Sequence, residues 1–281
     1  MASNRCRSGC RCRIDHHPRN HRLNGACNGG GTAGDVPVQR ERTGLVALTS
    51  WPSSPEPPAS IGSVVAVADL EVLAATARTE GWASGSGDLD SIRQQAKSLG
   101  WVEVAPRRGD PTVSVLHPTD KVAAHPSSLS ATYGLGQQPL HTDGAHLPHP
   151  PDLFVLLSQR PSATPTRLWR ATTVVPRTPH TALHHGMFLV RNGRDSFFSP
   201  ALSGSRYRYD PGCMTACDVR ARTVAQHFER LLPHAFAHEW LGANQVLVID
   251  NRRVLHARSA VAADDMDREL MRVAFQSEVV Q

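Results

Sequence analysis

The stretch "PLHTDGAHLPHPPD", residues 139–152, gathers His141, Asp143, His146 and His149 within nine residues. Imidazoles and carboxylates are the side chains that ligate divalent first-row metals. In an extended chain residues i and i+2 project from the same face. His141 and Asp143 therefore offer two legs of a metal site, with Thr142 turned away. His146 and His149 follow Gly144 and flank Pro148, out of strand phase, and read as loop histidines. A lone H-x-D also arises by chance in a histidine-rich polar loop, so the pair alone leaves both readings open.

A second stretch, "NQVLVIDNRRVLHARSAV", adds to the metal reading. An apolar strand enters the turn "DNRR", and "VLHAR" then presents His256. Two histidines and one carboxylate with open coordination positions are the facial triad of non-haem Fe(II) oxygenases. Further on, "DRELMRVAF" supplies Arg268 and Arg272. A guanidinium is always charged and forks onto a carboxylate. In an apolar strand pattern an unpaired charge is costly, so both arginines imply partners.

The elements that must position these residues are mostly short. Gly and Pro number 21 each among 281 residues, so turns are frequent and long helices are not expected. "WVEV", "TVSVL", "DLFVLLS", "TRLWRATTV", "GMFLVR", "FAHEW", "QVLVID" and "ELMRVAFQ" read as strands between Gly, Pro and Asn punctuation. "VADLEVLAATARTEGW", "SGDLDSIRQQAKSLG" and "DVRARTVAQHFERLL" read as helices, the second capped by Asp88 or Ser86 and ended by Gly100. The pattern predicts a mainly β chain with flanking helices, an antiparallel sandwich or jelly roll.

Residues 1–43 read as a disordered basic tail, 44–66 as a Pro/Ser-rich lead-in, and 67–281 as the folded domain. The tail holds eight arginines against three acidic residues, a surplus of five that equals the formal charge of the whole chain. The remainder is neutral, which argues against a nucleic-acid partner. Cys6, Cys10, Cys12 and Cys27 lie in the tail beside His16, His17 and His21, but their spacing matches none of the usual paired zinc patterns. There is no apolar h-region and no run of about 18 apolar residues. A reduced, cytoplasmic protein without a membrane partner is the expectation; oligomeric state is left open.

Together, "HTDGAH", "VLVIDNRRVLHAR" and "RELMR" resemble the taurine dioxygenase/clavaminate synthase superfamily of Fe(II)- and 2-oxoglutarate-dependent oxygenases, over roughly residues 88–281. "SSLSATYGLGQQPLHTDGAH" is similar to that family's approach to its metal strand. The resemblance implies a double-stranded β-helix, a jelly-roll relative. It implies that His141, Asp143 and His256 bind Fe(II), that Arg268 holds the distal carboxylate of the co-substrate 2-oxoglutarate, and that Arg272 lies near co-substrate or substrate. A threonine before "LW" also binds 2-oxoglutarate in many members. Here, in "SATPTRLW", Thr166 stands one position early and Arg167 occupies the adjacent place. The implied reaction consumes O2, releases succinate and CO2, and hydroxylates an unactivated C–H bond of a small, amino-acid-like or natural-product substrate. Asp143 favours hydroxylation, because related halogenases replace that carboxylate. Arg206, Arg208 and Asp210, with Ser130 and Tyr133 opposite, are the candidates for contact with a charged substrate; the alternative for the first three is ion pairing within their own loop. A cupin-like metal protein without 2-oxoglutarate, or a non-catalytic jelly-roll binding module, are the competing functions.

Overall fold

Asp69 and Asp88 each stand in extended conformation and accept backbone N–H groups of the turn that follows, opening helices α1 (Leu70–Glu80) and α2 (Leu89–Ser98). The computed structural model describes residues 69–170, 179–193 and 195–277. The tail, the lead-in and the end of "TRLWRATTV" lie outside these residues. Helix α1 stops two residues before the expected Trp82. Gly81, at φ 98°, ends it, and Trp82 begins a strand the sequence pattern did not indicate. Gly100, at φ 75°, closes α2 as expected.

The remaining elements are β1 (Trp82–Ser86), β2 (Val102–Glu103), β3 (Val113–Leu116), α3 (Leu129–Tyr133), β4 (Leu153–Ser158), β5 (Ser162–Arg170), α4 (His180–His185), β6 (Met187–Asn192) and β7 (Asp195–Pro200). They continue with β8 (Leu202–Ser203), β9 (Arg206–Tyr207), β10 (Met214–Ala216), α5 (Val219–Leu231), β11 (Phe236–Trp240), β12 (Gln245–Asp250), β13 (Val254–Arg258) and β14 (Leu270–Gln276). Every strand pairing is antiparallel. The major sheet runs β1-β12-β4-β14-β2, with β3 also on β14; a smaller sheet runs β11-β5-β13. Residues 195–216 contain β7 to β10, which the sequence pattern did not indicate.

Burial explains the strand compositions. On β4 and β12 alternate residues face opposite ways, and both faces are covered, so "LFVLLS" and "VLVID" are continuously buried. Leu153, Val155, Leu157, Val246 and Val248 pack with Leu70, Ala74, Ala77, Ile92 and Ala96 of the two helices. Phe154, Leu156, Leu247 and Ile249 meet Leu168, Trp240 and Val254 of the smaller sheet. Each such side chain contributes about 1.5–3 kcal/mol on full burial. The opposite face of the smaller sheet, carrying Trp169, Leu255 and Ala257, packs on α4, α5 and β6. Two sheets thus pack face to face across an apolar layer. Among the described residues no helix is long and apolar enough to cross a membrane.

The loop that follows β3 and α3 returns to this frame along β13, where the Gln138 N–H donates to the Arg258 carbonyl at 2.9 Å. His141 and His256 exchange both main-chain hydrogen bonds, at 2.9 Å each, as an isolated antiparallel bridge. Asp143 already lies in a turn, which Gly144 enters at φ 66°. A Cβ on Gly144 would stand 2.8 Å from Pro151 Cδ. Gly144→Ala is expected to destabilise the protein by about 1–3 kcal/mol. Urea denaturation should show a lower midpoint with an unchanged slope; an unchanged midpoint would contradict the strained turn.

Candidate metal and co-substrate site

The bridge brings His141 and His256 together, with ring centroids 4.3 Å apart. His141 Nδ1 lies 3.0 Å from the Pro139 carbonyl, which leaves Nε2 for a ligand. His256 stacks on Phe154 at 4.7 Å, and its Nδ1 is buried with no hydrogen-bond partner among the described residues. Burial, with His141 and Arg272 nearby, holds His256 well below the ordinary histidine range. It is therefore a neutral imidazole, the form that ligates metals.

Asp143 is two residues from His141, and its Oδ1 accepts from Arg272 Nη1 at 3.0 Å. Arg272 Nη2 also donates to Ser114 Oγ at 3.2 Å. A cavity of about 10 Å³, room for one water, adjoins the pair and is lined by Asp143, Gly144, Pro151, Arg272 and Ala274. With its carboxylate on Arg272, Asp143 does not close on the two imidazoles. Among the described residues no group of three or more His, Cys, Asp or Glu is assembled for a metal. His146 Nε2 is 2.9 Å from the Pro106 carbonyl, and His149 is exposed, so neither joins the pair.

Strand β5 links this pair to Arg268. Leu168 is opposite His256, and Thr166 is opposite Arg258 and His238. Ser162, Thr164, Thr166 and Leu168 are the buried alternation of β5. Thr166 therefore faces the same way as His256, while Arg167 donates to the Pro233 carbonyl at 3.3 Å on the other side. The one-residue offset in "TRLW" is resolved by strand phase. Thr166 Oγ1 accepts from Trp240 Nε1 at 3.1 Å, so its own hydroxyl proton is free to donate. His238, on the same face, is pushed down to about 4 by burial and is neutral.

Arg268 is only 4% exposed, so its charge needs compensation. Its Nε donates to Ser162 Oγ at 3.1 Å. Ser162 Oγ donates to Asp265 Oδ2 at 2.7 Å, which also accepts the Thr164 N–H at 3.0 Å. Burial lowers Arg268 to about 10 while Asp265 opposes the shift, so it stays cationic at neutral pH. Neither terminal NH2 group makes a hydrogen bond among the described residues, which leaves the fork free for an anion.

The proposed substrate residues divide. Arg206 donates to fully buried Asp152 at 2.5 Å and to the Pro150 carbonyl at 3.2 Å. Arg208 donates to the carbonyls of Ala145, Leu147 and Pro148 at 2.5–2.8 Å. Both brace the loop behind Asp143. Asp210 Oδ1 accepts the Gly212 N–H at 2.7 Å and pairs with neither arginine. Ser130 Oγ accepts from Gln138 at 3.4 Å. Burial raises Tyr133, with Glu229 and Asp210 adding to the shift. Asp152, Ser162, Asn251 and Asp265 were not identified from sequence. Only "DN", placed directly after an apolar strand, carried a signal.

No protein-family model matches the sequence, and no curated protein matches it. Solved structures share its fold. An asparagine oxygenase in complex with Fe(II), 2S,3S-3-hydroxyasparagine and succinate aligns with a TM-score of 0.59 at 18% identity, over 74% of this chain and 79% of that one. The non-heme iron oxygenase OrfP, with Fe, succinate and (3S)-hydroxy-L-Arg, aligns at 0.57 and 18%, over 75% and 80%. PvcB from Pseudomonas aeruginosa aligns at 0.53 and 16%, over 73% and 79%.

Arg206→Met and Arg208→Met are each expected to lower stability by about 1–3 kcal/mol, because buried acceptors lose a charged donor. Urea unfolding checks this. Unchanged midpoints would return both residues to the list of substrate contacts.

Proposed function

We propose that this chain is an Fe(II)- and 2-oxoglutarate-dependent dioxygenase of the taurine dioxygenase/clavaminate synthase type, built on a double-stranded β-helix. Its reaction is the hydroxylation of an unactivated C–H bond in a small amino-acid-like or natural-product substrate. One observation carries the reading. His141 and His256 form a bridge beside β5, with Asp143 adjacent, and at the start of β5 a buried Arg268 is held on Ser162 with its terminal NH2 groups unclaimed among the described residues. The fold shared with iron oxygenases supports it.

The donor set fits Fe(II): two imidazoles and one carboxylate, with an orphaned buried nitrogen on His256. Bound there, iron with 2-oxoglutarate and O2 supplies the oxidising power, yielding succinate, CO2 and the hydroxylated product. His141, Asp143 and His256 would hold the metal, and three protein ligands would leave positions for co-substrate and O2. For Asp143 to ligate, it exchanges its bond to Arg272 for the metal. Arg272 is then free beside the site for an anionic group of co-substrate or substrate. Arg268 receives the distal carboxylate of 2-oxoglutarate on its fork, and Thr166 lies on the same face with a hydroxyl to donate. Phe154, Leu168 and Trp240 exclude water from this wall. Asp210, Ser130 and Tyr133 are kept as candidate substrate contacts, Asp210 with a negative charge for a cationic substrate group. A cupin-like metal protein would leave the Arg268 fork without a purpose. A cytoplasmic setting belongs to the same reading.

Fe(II) and 2-oxoglutarate added anaerobically should give a weak visible charge-transfer band and, with O2, succinate. His256→Ala should lose both; retention in that variant, with loss in His146→Ala, would refute the ligand assignment. Arg268→Ala removes one partner of a buried charge pair, worth about 3–5 kcal/mol. The apparent constant for 2-oxoglutarate should therefore rise about 100- to 1,000-fold or more, with iron content unchanged. Arg268→Lys should recover part, since an ammonium cannot fork. An unaltered 2-oxoglutarate dependence in Arg268→Ala would remove the co-substrate anchor.

A further inference from the structure

Asp143 stands just beyond the last rung of the ladder. The His141–His256 bridge ends pairing, and Gly144 turns the chain away. The main chain of Asp143 is held instead by a side chain. Asn251 Oδ1 accepts the Asp143 N–H at 3.0 Å, and Asn251 Nδ2 donates to the Asp143 carbonyl at 2.9 Å. The same Nδ2 donates to the Pro151 carbonyl at 2.9 Å. A primary amide presents a donor and an acceptor in the layout of a peptide unit. Asn251 therefore replaces the missing strand partner of Asp143.

The location of Asn251 makes this more than a loop tie. It lies in the turn between β12 and β13, five residues before His256. It is 1% exposed, and its own N–H donates to the Asp152 carbonyl at 3.0 Å. One rigid side chain thus couples the backbone of Asp143 to the chain that carries His256. The Asp143 carboxylate is held separately, by Arg272. A carboxylate directly before a glycine at positive φ would otherwise sample many positions. A metal ligand must be held within about 0.5 Å of its productive place.

We propose that Asn251 is a positioning residue for the metal site, acting through Asp143 by fixing its main chain relative to His256. This rests on the reading of His141, Asp143 and His256 as ligands. Removing an interaction that orients a ligand typically lowers metal affinity about 10- to 100-fold. The effect belongs to Asp143, so it vanishes once that carboxylate is gone.

The test is Co(II) titration of the full chain, followed by calorimetry and visible ligand-field absorption, at a temperature where circular dichroism shows each variant folded. Asn251→Ala should weaken Co(II) binding about 10- to 100-fold and alter the absorption band. Asn251→Asp keeps the acceptor for the Asp143 N–H and loses both donated bonds; it should weaken binding too, and it carries the comparison if the alanine variant does not fold. Asp143→Ala combined with Asn251→Ala should bind no worse than Asp143→Ala alone, within about twofold. Wild-type affinity in both Asn251 variants overturns the proposal, as does an equal loss on the Asp143→Ala background. Wild-type Co(II) affinity in Asp143→Ala, or none in the wild type, overturns the ligand reading and the proposal with it.

Discussion

The arrangement of the site depends on one pair of main-chain hydrogen bonds, those between His141 and His256. Everything on the β12–β4–β14 and β11–β5–β13 frames is held by long ladders and apolar layers. The segment bearing His141 and Asp143 has only this bridge, flanked by single main-chain bonds from the Gln138 N–H to the Arg258 carbonyl and from the Thr142 N–H to the Tyr209 carbonyl. The chain compensates with side chains acting as local scaffolding. Asn251 continues the ladder past its end, Arg208 gathers three carbonyls of the following loop, and Asp152 collects Arg206, Gln276 and Ser277 where the loop enters β4. This is the expected division between rigid strands and a functional loop.

Charge is allocated by the same logic. Arg206 and Arg208 are tied to fixed acceptors, so their charges stabilise the loop. Arg268 differs in kind. It is buried, its Nε is held by Ser162 at the start of β5, and its terminal NH2 groups make no hydrogen bond among the described residues. Arg272 is intermediate, neutralised by Asp143 while its neighbour Ser114 steadies it.

Much was legible in one dimension. The caps at Asp69, Asp88 and Asp218 act within three or four residues, so their helices could be read locally. "DLFVLLS" and "QVLVID" announced buried strands because both faces of their sheet are covered. The pairing of H-x-D with a later histidine and two arginines indicated a chemistry because few other functions need those types in that order. Strand β1 was missed, since "WASGS" carries no alternation and exists only through its pairing with β12. The strands of 195–216 were also missed, being short and polar at their edges.

What the sequence by itself determined is the inventory: a mainly β chain, the ligand-competent residues, and the arginines that accompany them. The tertiary structure decided which partners each of them has. Strand phase on β5 turned Thr166 inward and Arg167 outward. Packing of the 139–152 loop against β9 and the β12–β13 turn turned Arg206 and Arg208 from candidate substrate contacts into braces. The Asp143–Asn251 contact spans 108 residues, and no local propensity encodes such a distance. Types and spacings are properties of the chain alone; hydrogen-bond partners and burial are set by whatever else the fold brings within about 3 Å.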